Sequence, residues 1–273
     1  MTVKKRVIAA AVLLPLLLIL VLLLPKFLTG ILFGLIAAIG ARELLRGTGL
    51  VEQTRLIAYA MIMAFFVSIW SCMWSVYTLL LLGVFAFFVM LFAEFLLFHN
   101  VLTFEKLAMT FFAGGVIPFL LTAVVRIHNQ TYGRVLILLP FVIAFSSDTF
   151  AYFAGRAFGK HKLAPQISPN KTVEGLFGGM LGAVVGVIIY CIVADKALHL
   201  QVQYLYVPVY GILGSLGAVF GDLSFSAIKR QTGIKDYGNL IPGHGGVLDR
   251  FDSMVVVAPL VELLMLYMPM VVK

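Results

Sequence analysis

The chain has 273 residues, of which 62% are hydrophobic and only 12% charged, with a net charge of +8. A soluble domain carries about 25% charged residues, so a soluble fold is excluded and lipid must be the solvent for most of the chain. A positive balance in a soluble protein would suggest nucleic acid. Here the cations fall mainly between apolar runs, where they act as topology signals and contacts to anionic headgroups, and no nucleic-acid partner is expected.

A hydrocarbon core of about 30 Å needs about 20 apolar residues per helix. Apolar runs predict nine spans, at 7–24, 27–45, 56–73, 76–98, 105–126, 132–154, 173–194, 204–229 and 251–271. Lys4-Lys5-Arg6 before the first run looks like the start of a signal peptide. The run is too long for a signal core and no small-residue cleavage site follows, so a retained first helix is expected. The apolar stretch from Leu56 to Phe98 is too long for one crossing and needs a turn near Ser71–Ser75.

With the N-terminus inside, fifteen Lys and Arg residues fall on the cytoplasmic side and five on the other. The positive-inside rule supports that orientation. The expected fold is therefore an all-α polytopic integral membrane protein of about nine transmembrane helices with a cytoplasmic N-terminus. Five helices occupy 1–130, and 131–273 contains the rest together with two long polar loops, 155–172 and 230–250, both facing the cytoplasm. Gly175, Gly178, Gly179, Gly182 and Gly186 mark the seventh span, and Gly211, Gly214, Gly217 and Gly221 the eighth. Spacings of three and four put them on one helix face, where backbones can approach closely. Cys72 and Cys191 lie in apolar runs and form neither a disulfide framework nor a zinc site.

Ionisable groups inside a span cost at least about 2.5–3.5 kcal/mol at a helix centre. Asp148 sits in the cytoplasmic half of the sixth span and Asp222 about two turns before the basic end of the eighth. Neither has a cation in its own turn, so their partners come from other helices, from metal or from protonation. Asp249 and Asp252 flank the start of the ninth span. Carboxylates without His or Cys favour magnesium, which needs few protein ligands. Lys229, Arg230, Lys235 and Arg250 surround Gly243-His244-Gly245-Gly246. The other loop holds Arg156, Lys160, His161, Lys162 and Lys171, with Pro169 and the residues after it read as the start of the seventh helix. Glycine loops and helix N-termini suit phosphate. These parts point to phosphoryl or nucleotidyl transfer, in which an anionic nucleophile needs charge neutralisation and placement rather than a strong base. For His161 and His244, proton donation and loop structuring both stay open.

The run S-A-I-K-R-Q-T-G-I-K-D-Y-G-N-L-I-P-G-H-G-G-V-L-D-R-F-D, Ser226 to Asp252, resembles the signature of the phosphatidate cytidylyltransferase family without a gap. The runs Ser147–Arg156 and Lys162–Gly175, and Gly221-Asp222, are similar to the same family. The resemblance is strong over 146–253 and rests on hydropathy upstream, so 131–273 is expected to be the catalytic region. It implies transfer of CMP from CTP to phosphatidic acid, giving CDP-diacylglycerol and pyrophosphate in phospholipid biosynthesis. It also implies a magnesium requirement, a homodimer, and metal held by Asp222 and Asp249, with Asp148 as a further ligand or an orienting group. Lys171, Lys229, Arg230 and Arg250 are expected to neutralise the CTP and lipid phosphates, with His244, Gly245 and Gly246 shaping a phosphate loop. A monovalent cation beside magnesium stays open. A CTP-dependent polyprenol kinase and an anionic-solute transporter are the rival readings. The second would show broken helices at mid-membrane, whereas the charges here gather at one face. Compact size and the lack of a cytosolic extension lead to the bacterial inner membrane, with the active site facing the cytoplasm.

Overall fold

The computed structural model describes residues 17–73, 76–241, 243 and 245–272. The chain is an integral membrane protein built almost entirely of helix. Seven helices among the described residues are long and apolar enough to cross a membrane: α1 (Lys26–Gly47), α2 (Thr54–Cys72), α3 (Tyr77–Leu97), α4 (Phe104–Asn129), α5 (Gly133–Phe158), α6 (Val173–Leu198) and the segment Tyr204–Gln231. The last is a short 3-10 turn leading into α7 (Val207–Gln231). These seven coincide with the second to eighth predicted spans. The first span is helical at 17–23, and its earlier part lies outside the described residues. The predicted ninth span begins where a one-turn helix, α8 (Leu248–Phe251), ends, and its helix is α9 (Met254–Tyr267), only 14 residues long with Pro259 inside it. At about 1.5 Å per residue α9 covers about 21 Å, less than a full crossing.

The chain forms two compact units. Unit 1 holds the described residues up to Asn129 together with Gln231–Phe251. Within it, α1 packs on α2 through small residues. A Cβ on Gly34 would meet the Phe65 ring at 2.7 Å, and Ser68 Oγ donates to the Gly30 carbonyl at 2.8 Å. In α4 the residues Phe112–Val116 form a π turn, which admits the Gly114 backbone against Ala60 of α2. The buried Arg126 is satisfied by the Phe119 carbonyl at 2.9 Å and Ser71 Oγ at 3.3 Å, as an intramembrane cation requires. Most of α3 is exposed and apolar, which in a bilayer means contact with acyl chains.

Unit 2 holds Gln130–Arg230 and Asp252–Lys273. Its centre is the pairing of α5 with α6. Gly178 lies against Ala154, Gly182 against Phe150 and Gly186 against Ser146, so the numbering runs in opposite directions and the helices are antiparallel. On α7, Gly211 meets Val184, Gly214 meets Ile143 and Gly217 meets Leu260. The glycine faces expected from spacing are the helix contacts of this unit. Ser147 and Ser215 share a buried hydroxyl hydrogen bond of 2.7 Å between α5 and α7.

Two small antiparallel pairs of strands accompany the helices: the hairpin of β1 (Lys162–Ala164) with β2 (Ser168–Thr172), and the long-range pair of β3 (Gln201–Val202) with β4 (Val271–Val272). Pro169 and its neighbours do not begin a helix but form β2, and α6 begins only at Val173. Both strands of a two-stranded ribbon are edge strands, where proline is tolerated. The helix start is set instead by Thr172, whose hydroxyl accepts from Gly175 N at 3.1 Å.

Candidate functional site

In unit 2 a cavity of about 620 Å³ opens where the end of α5 and the start of α6 meet the β1–β2 hairpin and the middle of α7. That volume is in the range of small-molecule sites. From α5 come Asp148, Tyr152 and Arg156, three residues at successive spacings of four and therefore on one helix face. The hairpin supplies Lys162, Asn170 and Lys171; α7 supplies Asp222. The antiparallel α5–α6 pair puts Asp148 and Thr172 on walls of the same cavity although 23 residues separate them, since Gly155, Gly175 and Gly179 leave the backbones almost in contact.

Lys171 pairs with Asp222 across this cavity, joining hairpin to helix. Ser226 Oγ, one turn further along α7, donates to the other Asp222 oxygen at 3.2 Å. Both side chains of the ion pair remain partly accessible, at 23% and 33%. An accessible pair is cheap to open, because water screens the charges. The cavity walls hold three cations, Arg156, Lys162 and Lys171, against two anions, Asp148 and Asp222. Such a surface can take a polyphosphate together with a divalent cation. Among the described residues no cluster of three or more His, Cys, Asp or Glu forms a preassembled metal site. The donor chemistry nevertheless fits magnesium, which takes one or two carboxylates from protein and the rest from phosphates and water.

The other predicted basic residues are placed differently. Lys229 is buried on α7, and Arg230 is exposed with Nε donating to the Ile167 carbonyl at 3.2 Å, tying the end of α7 to the hairpin. Neither lines the cavity. His161 structures its loop: its Nδ1 lies 2.7 Å from Glu174 Oε1, and its backbone N–H donates to the same carboxylate. Asp252 caps its own neighbour, accepting from Ser253 N at 2.7 Å.

Gly245, Gly246, Asp249 and Arg250 belong to unit 1, the glycines in the turn that leads into α8 and Asp249 and Arg250 within that helix. His244 lies outside the described residues. Asp249 is buried, and its Oδ2 accepts from Tyr237 N at 2.8 Å and from Gly246 N at 3.0 Å. The two glycines have distinct reasons. Gly245 has φ +86°, and Gly246 faces a carboxylate that leaves no room for a side chain. That carboxylate is Glu43 of α1, buried in unit 1. It accepts from Val247 N at 3.0 Å and Leu248 N at 2.8 Å. Nothing in the sequence singles out Glu43, because it lies two residues from the end of a predicted span, where an acidic group looks interfacial. Arg156 and Lys162, loop cations by sequence, line the cavity, and the spacing of Asp148, Tyr152 and Arg156 is the sequence signal for the first.

A family model described as "Cytidylyltransferase family" matches residues 4–268. The chain is similar to the phosphatidate cytidylyltransferase of Bacillus subtilis (strain 168), 40% identical over 170 residues that make up 62% of each chain. It is also similar to the protein of that name from Haemophilus influenzae, 41% identical over 132 residues, 48% of this chain and 46% of the other. Phosphatidate cytidylyltransferase 5, chloroplastic, of Arabidopsis thaliana is 46% identical over 127 residues, 46% of this chain and 31% of the plant protein. The chain thus spans between about a third and three-fifths of the length of these curated relatives.

Proposed function

We propose, starting from the fact that the chain belongs to the cytidylyltransferase family, that it transfers CMP from CTP to phosphatidic acid and forms CDP-diacylglycerol and pyrophosphate. The observation that supports this most directly is the cavity in unit 2, where the accessible Lys171–Asp222 pair stands among Asp148, Arg156 and Lys162. An oxygen of the lipid phosphate attacks the α-phosphorus of CTP. The bond from that phosphorus to the bridging oxygen breaks, and pyrophosphate leaves with the electron pair. The nucleophile is already anionic, so the residues supply charge neutralisation and placement rather than proton abstraction.

In this reading Lys171, Arg156 and Lys162 bind and orient phosphate oxygens. Asp222 and Asp148 are the carboxylates of unit 2 that would hold magnesium, which when bound stabilises charge on the phosphates. With magnesium held at Asp222, Lys171 would no longer be needed as the counter-charge of that carboxylate, and its ammonium would be available to a phosphate oxygen. Asp249, assigned to metal by the resemblance, is the corresponding candidate in unit 1, and Lys229, Arg230 and Arg250 are candidates for phosphate neutralisation. The charge asymmetry of the loops supports a cytoplasmic N-terminus and a cytoplasm-facing site. The bacterial relatives support the bacterial inner membrane, and the family resemblance supports a homodimer.

The test is purified full-length protein with cytidine-labelled CTP, phosphatidic acid and magnesium. Labelled lipid and stoichiometric pyrophosphate are expected. No labelled lipid would overturn the reading, and CDP released in place of pyrophosphate would indicate a lipid kinase.

A further inference from the structure

We propose that Glu43 is a positioning residue for the reaction: from the last turns of α1 it fixes the backbone of the 245–249 turn and so sets the place of Asp249. The inference rests on the proposed transferase reading for its catalytic meaning, but its structural basis stands on unit 1 alone. One face of α1 is given over to the segment 231–251. Phe33 meets Phe251 edge to face at 6.2 Å, Gly40 lies against Leu248, and Gly47 against the Tyr237 carbonyl. Positions 33, 40, 43 and 47 share a helical face by their spacings of seven, three and four. Glu43 is the one charged residue among these four.

Its carboxylate is engaged through both oxygens. Oε1 accepts from Val247 N and Oε2 from Leu248 N, while Gly246 N goes to Asp249 Oδ2. Three successive backbone donors at the entry to α8 are therefore taken by two carboxylates, one from α1 and one from the turn itself. The glycines complete the fit. A Cβ on Gly238 would stand 2.5 Å from Glu43 Oε1, and one on Gly246 would overlap Oε2. Among the described residues no Lys or Arg is ion-paired with Glu43. A buried carboxylate without a cation is costly, and here what it gains is hydrogen bonds to the backbone of this turn. A glutamine could offer only one acceptor. Its amide group would face the second N–H donor to donor.

The experiment compares the full-length wild type with Glu43→Gln in detergent or nanodiscs. Two readouts are taken: amide hydrogen exchange over 243–250, and steady-state kinetics with CTP and phosphatidic acid. The expected result is faster exchange confined to this turn and a kcat lower by about 10- to 100-fold, since small misplacements at a reacting centre cost that much. KM for CTP should stay within about twofold, because the turn is displaced rather than a substrate contact removed. A merely structural role would reduce the yield of folded protein and leave kcat per folded molecule unchanged. Unchanged exchange, or an unchanged kcat in the folded variant, overturns the proposal. Should Glu43→Gln fail to fold, Gly238→Ala presses on the same carboxylate while keeping its charge, and must show the same split between kcat and KM at smaller size. If the wild type forms no cytidylated lipid, the transferase reading falls by itself, while the exchange comparison still decides whether Glu43 holds the turn.

Discussion

The two units use buried and half-buried carboxylates in opposite ways. In unit 2, Asp222 meets a lysine ammonium across a water-accessible cavity. In unit 1, Asp249 and Glu43 meet backbone N–H groups inside packed structure. An ammonium on a flexible stem is exchangeable, so a metal or a phosphate can take the place of either partner. A backbone donor is fixed by the chain, so a carboxylate bonded to it works as an anchor. The difference separates a carboxylate whose present partner can be replaced from two that hold a turn in place, which for Asp249 also fixes the position of its own carboxylate.

The largest expected effect tests the exchangeable side. Asp222→Asn and Lys171→Ala should each lower CMP transfer by at least about 100-fold, the loss typical when one electrostatic stabiliser is removed, while leaving thermal unfolding close to wild type. Normal turnover in both, assayed with labelled CTP across a magnesium titration, would break the assignment. Arg156→Ala should have a smaller effect, about tenfold in kcat/KM, since it removes one of three cavity cations.

The anchoring side is sharpened by paired substitutions at Asp249. Asp249 Oδ2 accepts from both Tyr237 N and Gly246 N, so the side-chain oxygen of Asp249→Asn can keep these two contacts. Asp249→Ala leaves two buried donors without that acceptor and should destabilise by about 2 kcal/mol. If Asp249→Asn keeps stability but loses turnover, the charge itself is needed. The opposite pattern would make the residue an anchor alone. At the small end, Thr172→Ala should cost about 1 kcal/mol in thermal or denaturant unfolding through loss of the α6 cap, and Thr172→Ser should be close to neutral.

Much of this was legible in the amino-acid order. Seven of the predicted spans fall on observed helices because a bilayer demands about 20 apolar residues in a row, a local property. The glycine faces were legible because helical spacing is local too. Asp148 and Asp222 could be singled out, since a charge in an oily run is conspicuous, and Lys171 as a cation of the polar loop before the seventh span. The β1–β2 hairpin was not legible: Pro169 followed by polar residues serves a helix start and an edge strand equally well.

What the sequence determined by itself is the solvent of each segment, the helix faces that must meet, and the family resemblance of 146–253. Only the tertiary structure decided which partner each charge takes. Lys171 and Asp222 are 51 residues apart, and Glu43 reaches Val247 across 204. Hydrogen bonds and ion pairs act over about 3 Å and carry no trace of sequence separation. So Glu43, ordinary in its own helix, was visible as the anchor of the 245–249 turn only once the fold had brought the two together.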